Sequence, residues 1–383
     1  MKVAVILTYR GSYARLRTFL NAVRDSDDLE LQLIVGASAL LEKYGEAVNL
    51  IEADGFDVAA RLHMVLEGEN PISMAKSTGI GIMEMTTVLE SLKPDVAVII
   101  GDRYESIGFA VAVSYLNVPL VHVQGGEVTG SIDEKIRHAI TKFADYHFVA
   151  NDDAGQRVVR MGEDPDRVYV TGCPSIDLAA ESTENPTMNL KVLTEYRGVG
   201  PVLDLESGSY LVTMFHPVTT EYADAEYQVS ELLAAIYDMK KPTMWFWPNV
   251  DAGSDRISKQ IRVFRETYDP DFIHFFKNLP PELFYKVLFN SNCFVGSSSA
   301  GVRECSFLGV PVVNVGSRQT GRLRGPNLID TDYDRESVKR AVQHQMANGR
   351  YPSVSLYGDG HAGQKMVDIL EGLEPTLKSI ITY

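Results

Sequence analysis

Short apolar runs alternate with amphipathic stretches along most of the chain, and this alternation predicts strands followed by helices. The run Lys2–Thr8 is rich in Val, Ile and Leu, and Asp95–Ile100 has a similar composition. Continuous apolar runs of this length are typical of parallel strands that are covered on both faces. Between such runs, apolar residues recur at helical spacing, for example over Ser73–Leu92. A β-α-β-α order of this kind predicts a doubly wound parallel sheet.

The same alternation restarts after a polar, turn-rich stretch at residues 181–207, which we interpret as the connection between two domains. Beyond it we predict further strands and helices, among them one helix over Gly301–Leu308 and a closing helix over Gln364–Leu373. Near the start of the chain, Arg10–Tyr13 is predicted to form a glycine turn before the first helix. The chain is therefore predicted to be an α/β protein with two Rossmann-like, doubly wound domains and an interdomain cleft in which a ligand can touch both.

The composition narrows the classes of partner. With 383 residues and 45% hydrophobic content, the chain is long enough for two domains that each bury a core. A net charge of −15 argues against a nucleic acid or an anionic membrane as a partner, because both would be repelled. The three scattered cysteines show no CxxC spacing, and no apolar run resembles a signal peptide or a membrane span. These features predict a cytoplasmic protein with reduced thiols.

Charged and polar residues follow two successive strands of the predicted first sheet. Asp102 and Arg103 come directly after the strand Asp95–Ile100, and Gln124 and Glu127 come after the next strand. In open α/β sheets, ligands bind outside the carboxyl ends of the strands. We therefore expect these side chains to line a site at one edge of the sheet.

The helix that follows opens with two more carboxylates, Asp133 and Glu134. Carboxylates crowded in a cleft can take different pKa values and divide the roles of acid and base between them. No metal-ligand spacing can be read from them, and an acidic cation site is the weaker alternative. His122 and His138 lie close by in the sequence, and a structural role explains each of them better than a catalytic one.

In the second half, the small-residue loop Gly296–Gly301 (GSSSAG) follows a predicted strand and opens a helix. Small residues let a phosphate approach the free backbone N–H groups at a helix start, and the hydroxyls of Ser298 and Ser299 add donors. Ordinary serine capping of the helix is the competing interpretation. Glu304 lies further along this helix, where it could accept hydrogen bonds from ribose hydroxyls, although pairing with the helix dipole is the simpler explanation.

Three basic residues beside turns are candidates for the same anion. His216 ends a predicted strand and precedes a proline, a position from which its ring could donate to a phosphate or leaving-group oxygen. Arg10 and Arg318 flank glycine turns in the two halves and could reach that anion as well. Taken singly, the histidine is compatible with an ordinary polar loop residue and each arginine with a surface residue.

Several motifs, which span nearly the whole chain, resemble the hydrolysing UDP-N-acetylglucosamine 2-epimerase family, a group that includes bacterial sialic-acid pathway enzymes. They are GDR at 101–103, HVQGGE at 122–127, IRHAITK at 136–142, GCPS at 172–175, FHPVTT at 215–220, PNVDAG at 248–253, GSSSAGVRE at 296–304, GSRQ at 316–319 and YGDG at 357–360. The resemblance implies the GT-B architecture with a UDP-sugar between the two domains. We accordingly predict a first domain at 1–185, rejoined by a C-terminal helix at 364–383, and a UDP-binding domain at 186–363.

The family chemistry assigns roles to these residues. The resemblance implies that a base removes the C2 proton while UDP leaves from C1, and that water then adds to the resulting 2-acetamidoglycal with inversion at C2. The products would be N-acetylmannosamine and UDP. By motif, Asp102 and Asp133 would act as acid and base, with Glu134 and Glu127 as neighbouring carboxylates. The other roles carried over are His216 for the departing diphosphate, Ser298, Ser299 and Gly301 for phosphate, Glu304 for ribose, and Arg10, Arg103 and Arg318 for substrate binding.

Two positions depart from the family pattern. Many members carry a catalytic Glu where this chain has Gln124, and glutamine cannot accept a proton at neutral pH. Many also carry an acid in the position of Ser12. Either another carboxylate, such as Glu127 or Asp102, acts in place of Gln124, or the substrate is a different sugar nucleotide.

Three alternatives to UDP-N-acetylglucosamine epimerisation therefore stay open. The first is the same chemistry on a related sugar nucleotide such as UDP-N,N′-diacetylbacillosamine, on a legionaminic acid route. The second is a GT-B glycosyltransferase, and the third is an inactive UDP-sugar binder. We expect no NAD and no obligatory metal, because Arg10–Tyr13 is not a GxGxxG fingerprint. The resemblance further implies a homo-dimer or homo-tetramer.

Overall fold

The computed structural model describes residues 1–67, 71–129, 133–188, 196, 198–203, 205, 209–218, 220–248 and 253–378. The chain divides into two compact units, one formed by Met1–Glu127, Ile132–Asp177 and Tyr357–Tyr383 and the other by Val128–Ser131 and Leu178–Leu356. The domain limits expected from the sequence stay a prediction. Parts of the expected connection at 181–207 and of the motif at 248–253, as well as Thr219, lie outside the described residues.

A seven-stranded parallel sheet with the order β3-β2-β1-β4-β5-β6-β7 forms the centre of the first unit. Its strands are β1 (Lys2–Leu7), β2 (Glu30–Gly36), β3 (Val58–Leu62), β4 (Val96–Ile100), β5 (Leu120–Val123), β6 (Tyr146–Val149) and β7 (Val168–Val170). β4 is buried throughout, as a strand covered on both faces must be. The direction in which strands are added reverses between β1 and β4, so the doubly wound fold predicted from the sequence is confirmed for this half.

Helices cover both faces of this sheet. They are α1 (Arg10–Asp25), α2 (Ala47–Ala53), α3 (Pro71–Leu92), α4 (Tyr104–Tyr115), α5 (Asp133–Phe143), α6 (Asp152–Arg160) and α7 (Ser175–Glu184), with short 3-10 turns at Ala37–Leu40, Glu42–Tyr44 and Pro165–Arg167. One apolar core packs α1 and the C-terminal helix against Val3, Val5 and Leu7 of β1. Because strand side chains alternate, Ala4 and Ile6 belong to the core on the opposite face, with α3 and α4.

The second unit repeats the design with the strand order β14-β13-β12-β9-β10-β11-β8. Its strands are β8 (Gly198–Val199), β9 (Leu211–Met214), β10 (Thr243–Phe246), β11 (Ile273–Phe276), β12 (Cys293–Gly296), β13 (Val312–Val315) and β14 (Leu328–Thr331). The remaining helices of the chain are α8 (Ala225–Met239), α9 (Ser254–Tyr268), α10 (Pro281–Phe289), α11 (Ser299–Val302), α12 (Glu304–Leu308), α13 (Arg335–Asn348) and, in the first unit, α14 (Ala362–Glu371), with a 3-10 turn at Tyr222–Asp224. Here the order reverses between β9 and β12, and β8 is antiparallel to β11.

Several local predictions were wrong. Arg10–Tyr13 is the first turn of α1 rather than a glycine turn, because the Ser12 hydroxyl accepts from the Thr8 and Tyr9 backbone N–H groups and caps the helix. The single helix predicted over Gly301–Leu308 is two short helices that meet at Arg303. The edge strand β14 was missed because its four residues are only partly buried and mix polar with apolar side chains.

The described parts of the segment interpreted as a connection include regular secondary structure. Residues 181–184 complete α7, and β8 pairs with β11 at the edge of the second sheet. At the other end of the chain, the predicted helix at 364–383 ends at Glu371, and residues 373–378 are not helical. No helix in the described ranges is long and apolar enough to cross a membrane.

A buried carboxylate holds the start of α14 on the first unit. Asp177 accepts from the backbone N–H groups of Ala362 at 2.9 Å and Gly363 at 2.7 Å. It also accepts from the Thr18 hydroxyl on α1 at 2.9 Å. Gly363 is needed here because a Cβ atom would come within 2.7 Å of the Thr18 and Phe19 backbone. One side chain from α7 thus satisfies the free N–H groups of α14 and joins that helix to α1.

The segment after α14 is tied down by a buried ionic cluster. Glu163 accepts from Lys378 Nζ at 2.9 Å, from Lys142 Nζ, and from His147 Nε2 at 3.3 Å. Burial alone would raise the pKa of Glu163, but these hydrogen bonds outweigh it and lower that pKa to about 2. The carboxylate therefore remains charged at neutral pH and keeps Lys378 in place.

The fully buried ring of His122 on β5 joins the end of β4 to α5. Its Nε2 lies 2.8 Å from the Gly101 carbonyl oxygen, so Nε2 carries the proton and donates it. Its Nδ1 lies 3.1 Å from the Thr141 hydroxyl oxygen on α5. Burial lowers the pKa of His122 to about 3, so the ring is neutral at physiological pH. The structural interpretation of this histidine is the one that its contacts favour.

We predict that Asp177→Asn destabilises the protein by about 1–3 kcal/mol, because one amide oxygen cannot serve all three donors of the carboxylate. Urea unfolding followed by far-ultraviolet circular dichroism measures the change. The exposed Asp27 offers a matched control, and Asp27→Asn should change stability by less than about 0.5 kcal/mol. Equal stabilities of the Asp177 and Asp27 variants would contradict the anchoring role.

We further predict a dependence of stability on pH that comes from His122. Its pKa is lowered on folding, so the unfolded chain binds the extra proton, and its contribution is complete above about pH 6.5 and is lost as the pH falls toward 3. His122→Gln should reduce the slope of unfolding free energy against pH between 6.5 and 4 by up to about 1.4 kcal/mol per pH unit. The exposed His63 provides the control, since His63→Gln should leave the slope unchanged. A slope that is identical in wild type and His122→Gln would refute this assignment.

Candidate active site

The sequence-predicted residues of the first half gather at the carboxyl edge of the first sheet. β4 and β5 are adjacent and parallel, with Ile100 opposite Val123, so the residues that follow them emerge side by side. Gly101 turns the chain with a φ of +85° and donates its N–H to the Val123 carbonyl at 3.0 Å. Asp102 follows directly. The expectation that two successive strands deliver polar groups to one edge is confirmed.

A buried arginine organises this edge. The Arg137 side chain, on the second turn of α5, is only 2% exposed and forms an ion pair with Asp102. It also donates through Nη1 to the Glu127 backbone carbonyl at 2.8 Å. The guanidinium therefore joins the segment after β4 to the segment after β5. It balances the negative charge of Asp102, whose side chain is 20% exposed and so remains reachable.

The other predicted carboxylates lie on the two segments next to Arg137 in the chain, after β5 and at the start of α5. Glu127 is buried, and Asp133 and Glu134 form the first turn of α5, one turn before Arg137. Glu134 lies 3.5 Å from Nε2 of His138 across one turn of the helix. Acidic side chains in a first helical turn are stabilised by the helix dipole. Two of the acid–base candidates are thus placed at the start of α5.

Gln124 adopts a backbone conformation that residues other than glycine rarely adopt. Its φ of +67° lies in the left-handed region, and its backbone N–H donates to the Phe148 carbonyl at 2.9 Å. The buried amide donates to Cys173 Sγ at 2.8 Å, and that sulfur lies 2.9 Å from the Ser175 hydroxyl. Residues other than glycine in this region cost of order 1–3 kcal/mol and cluster at functional sites. The family motif at 172–175 thus supplies Cys173, which accepts from the Gln124 amide.

The predicted substrate-binding arginines of the first unit have protein partners. Arg103 donates to the buried Glu105 carboxylate at 2.8 Å, and its guanidinium lies 5.1 Å from the centre of the Tyr9 ring. Tyr9 follows β1, so this contact bridges the two strands between which the sheet order reverses. Arg10 begins α1. In such sheets the reversal point is where ligands bind.

The second unit repeats this geometry at its own reversal point, between β9 and β12. His216 follows β9, and Ser297 follows β12. The Ser297 hydroxyl accepts from the His216 backbone N–H at 2.9 Å and donates to the His216 carbonyl at 2.9 Å. Gly296, with a φ of +149°, allows this close approach because a Cβ atom there would lie 2.2 Å from the Met214 carbonyl oxygen.

The loop after β13 joins the same cluster. Arg318 donates through Nη1 to the Ser297 carbonyl at 3.3 Å, and the buried Gln319 donates to the same oxygen at 2.8 Å. Ser298 caps α11 by accepting from the Ala300 backbone N–H, and Ser299 begins that helix. The structure thus brings His216, Arg318 and the two serines to one edge of the second sheet.

Two predicted residues sit deeper. Gly301 packs against β12 and β13, where a Cβ atom would come within 3.0 Å of the Phe294 ring and of Val312, so its small size serves helix–strand packing. Glu304 begins α12 and is 5% exposed. Its Oε2 is buried and has no hydrogen-bond partner among the described residues. A buried carboxylate oxygen without a hydrogen bond destabilises the fold. This position is therefore suited to a ligand hydroxyl that donates to it.

Sequence reasoning missed the residues that connect these candidates. Arg137, Ser297, Cys173 and Gln319 were all inside recognised motifs but received no role. For Arg137 a signal existed, since a basic residue four positions after Asp133 shares its helix face with an acidic cluster. No local signal identifies Cys173 as the partner of Gln124, because 49 residues separate them. Among the described residues, no group of three or more His, Cys, Asp or Glu side chains could hold a metal ion.

Comparison with known proteins identifies the family. The family model for UDP-N-acetylglucosamine 2-epimerase matches residues 21–371. The hydrolysing UDP-N,N′-diacetylbacillosamine 2-epimerase of Legionella pneumophila is 31% identical over 370 residues, which cover 97% of this chain and 95% of the relative. The UDP-N-acetylglucosamine 2-epimerase of Neisseria meningitidis serogroup B is 30% identical over 360 residues, with 94% and 91% coverage.

A solved structure agrees with the fold. The crystal structure of UDP-GlcNAc 2-epimerase from Neisseria meningitidis bound to UDP-GlcNAc matches with a TM-score of 0.80 and 15% identity, covering 97% of this chain and all of that chain. This likeness, together with the two doubly wound sheets, confirms the predicted GT-B fold class. The family match covers all the motifs between residues 101 and 360 and the reversal point of the second sheet, and it begins after β1 and Arg10. The chain is a member of the UDP-N-acetylglucosamine 2-epimerase family of enzymes.

Proposed function

We propose that this enzyme is a hydrolysing UDP-N-acetylglucosamine 2-epimerase, which releases N-acetylmannosamine and UDP for sialic-acid-type sugar biosynthesis. The observation that carries the proposal is the Asp102–Arg137 pair at the carboxyl edge of the first sheet. It supplies a carboxylate that is held in place by a buried cation and is still 20% exposed to a ligand. The family match and the relative from Neisseria meningitidis support the choice of substrate class.

The reaction needs a base, a leaving-group donor and an acid. The base takes the weakly acidic C2 proton as the C1–oxygen bond to UDP breaks, and a C1–C2 double bond forms. Water then adds its oxygen to C1, and a proton returns to C2 on the opposite face. Proton removal and return on opposite faces require two groups, and we assign them to Asp102 and Asp133. Glu127 and Glu134 are the neighbouring carboxylates, and general acid–base catalysis of this kind contributes about 10²–10⁴ in rate.

The second unit supplies donors for the departing diphosphate in this proposal. His216 and Arg318 are joined through Ser297, and Ser298 and Ser299 lie on the same loop. Charge that develops on the leaving oxygen would be stabilised by preorganised donors of this kind. The buried Oε2 of Glu304 is suited to accept from a ribose hydroxyl. In the first unit, we assign Arg10 and Arg103 to substrate binding, and we expect neither a metal nor NAD.

The same chemistry on UDP-N,N′-diacetylbacillosamine is the second candidate. One observation favours it, since the relative from Legionella pneumophila acts on that sugar nucleotide by its name. The family resemblance, in which many members carry Glu at the position of Gln124, agrees with it. A neutral amide that donates to Cys173 offers a different hydrogen-bonding surface from a carboxylate. The two relatives are almost equally similar to this chain, at 31% and 30% identity. Identity therefore does not distinguish the two substrates, and a substrate test must do so. As for assembly, we propose a homo-dimer or homo-tetramer on family grounds.

Proton NMR in deuterated water tests the substrate and the reaction together. We expect free UDP and N-acetylmannosamine that carries deuterium at C2, because the proton removed from C2 is replaced from solvent. UDP-N,N′-diacetylbacillosamine is offered in a parallel sample. Turnover of that sugar nucleotide and not of UDP-N-acetylglucosamine would support the second candidate and refute the first. UDP release without a 2-epimer, or only with an added acceptor, would refute hydrolysing epimerisation.

We predict that Asp102→Asn lowers kcat by about 10²–10⁴ while UDP binding is retained, because the amide cannot accept the C2 proton. Stopped assays of UDP release give kcat, and calorimetry with UDP shows that the second unit is intact. The exposed Asp27 again supplies the control, and Asp27→Asn should match wild type. Near wild-type turnover by Asp102→Asn would exclude Asp102 as the base.

A further inference from the structure

Three loops and one helix of the second unit meet at one carboxylate outside the assigned site. Glu221 lies after β9, five residues beyond His216 and just before the 3-10 turn Tyr222–Asp224. Its Oε1 accepts from the Ser317 hydroxyl, which belongs to the loop after β13. Its Oε2 accepts from the Tyr333 hydroxyl at 2.9 Å, from the loop after β14. Nothing in the family motifs quoted above includes Glu221 or Tyr333.

The donors to this carboxylate are neutral. Besides the two hydroxyls, the Gln228 amide on α8 donates to Oε2 at 2.9 Å. A carboxylate bound by a serine, a tyrosine and a glutamine side chain is held by directed hydrogen bonds rather than by charge pairing with these groups. Such bonds fix angles as well as distances. The arrangement therefore orients the loops from which the hydroxyls come.

Tyr333 contributes shape as well as a donor. Its ring packs edge-on against Phe215, with ring centres 6.3 Å apart. It also covers Gly316, where a Cβ atom would come within 2.2 Å of the ring. Burial and the Glu221 carboxylate raise the pKa of the Tyr333 phenol to about 12, so the hydroxyl keeps its proton and remains a donor.

The loop that Glu221 holds is the one that carries Arg318. Ser317 is bound to Glu221, and the next residue, Arg318, donates to the Ser297 carbonyl at 3.3 Å. Gln319 donates to the same carbonyl at 2.8 Å. Ser297 in turn holds the backbone of His216. Glu221 is therefore connected through Ser317 and the adjacent Arg318 to Ser297, and through Ser297 to His216, so the connection reaches two candidates for the diphosphate.

We propose that Glu221 is a positioning residue for diphosphate binding, which acts through Ser317 and Tyr333 to hold Arg318 in its binding geometry. The inference rests on the proposed function, because it assumes that Arg318 meets the diphosphate. Glu221 itself touches no substrate. Its role differs from that of a general structural residue in one respect: its effect on UDP affinity depends on the presence of the Arg318 guanidinium.

A double-mutant cycle measured by calorimetric titration of UDP into the full chain tests this role. Glu221→Ala should raise the Kd for UDP about tenfold, since charge-assisted hydrogen bonds contribute enough to account for a change of that size. In the Arg318→Ala background, Glu221→Ala should have no further effect on Kd. The exposed Glu266 is the matched control, and Glu266→Ala should bind UDP as wild type does.

Tyr333→Phe tests the same contact with a smaller change, in case Glu221→Ala does not fold. It keeps the ring that packs on Phe215 and Gly316 and removes only the hydroxyl donated to Glu221. We expect a smaller rise in Kd, which also disappears in the Arg318→Ala background. An unchanged Kd in Glu221→Ala, or an effect of equal size with and without the Arg318 guanidinium, would overturn the inference. A wild-type protein that fails to bind UDP would instead overturn the proposed function, so the two failures are separable.

Discussion

The buried guanidinium of Arg137 constrains the first unit more than any other single group at its polar edge. A charge that is almost completely removed from water must keep its partners, because removal of one partner of a buried ion pair costs about 3–5 kcal/mol. Its partners lie on two different segments, Asp102 after β4 and the Glu127 carbonyl after β5. The position of α5 relative to the sheet follows from this pairing. With α5 come Asp133 and Glu134, so one ion pair assembles the carboxylate-rich edge on which the proposed chemistry depends.

The two units hold their polar edges by different physical means. In the first, an ion pair and the neutral ring of His122 connect β4, β5 and α5. In the second, Ser297 makes the connection. Its backbone carbonyl accepts from Arg318 and Gln319, and its hydroxyl accepts from the His216 backbone N–H. This junction is built from a neutral carbonyl and a hydroxyl rather than from an ion pair. A carboxylate-rich edge suits proton transfer.

Gln124 shows how a departure from the family pattern fits its surroundings. The residue occupies a left-handed backbone conformation at the end of β5, and its buried amide donates to Cys173. A carboxylate there would lose that donor and would face a thiol, which is only a weak donor, so its burial would be poorly compensated. The neutral amide is therefore compatible with its environment. In the proposed reaction, proton transfer is accordingly assigned to the other carboxylates of the edge, among which Asp102 has a buried cation beside it.

The sequence by itself determined most of the strands, the doubly wound class and the edge at which the candidates gather. Periodicity reports burial on one or both faces, and parallel β-α-β units must place their carboxyl ends together. Boundaries moved by a few residues, and β14 was missed, because partly buried edge strands carry a weak apolar signal. The motifs also identified Asp102, His216 and Glu304 as candidates. Only the tertiary structure decided what holds them, since Arg137 with Asp102, Cys173 with Gln124 and Glu221 with Ser317 are 35, 49 and 96 residues apart. Local pattern carries no information about such pairs, because the packing of distant segments alone brings their polar atoms within hydrogen-bonding distance.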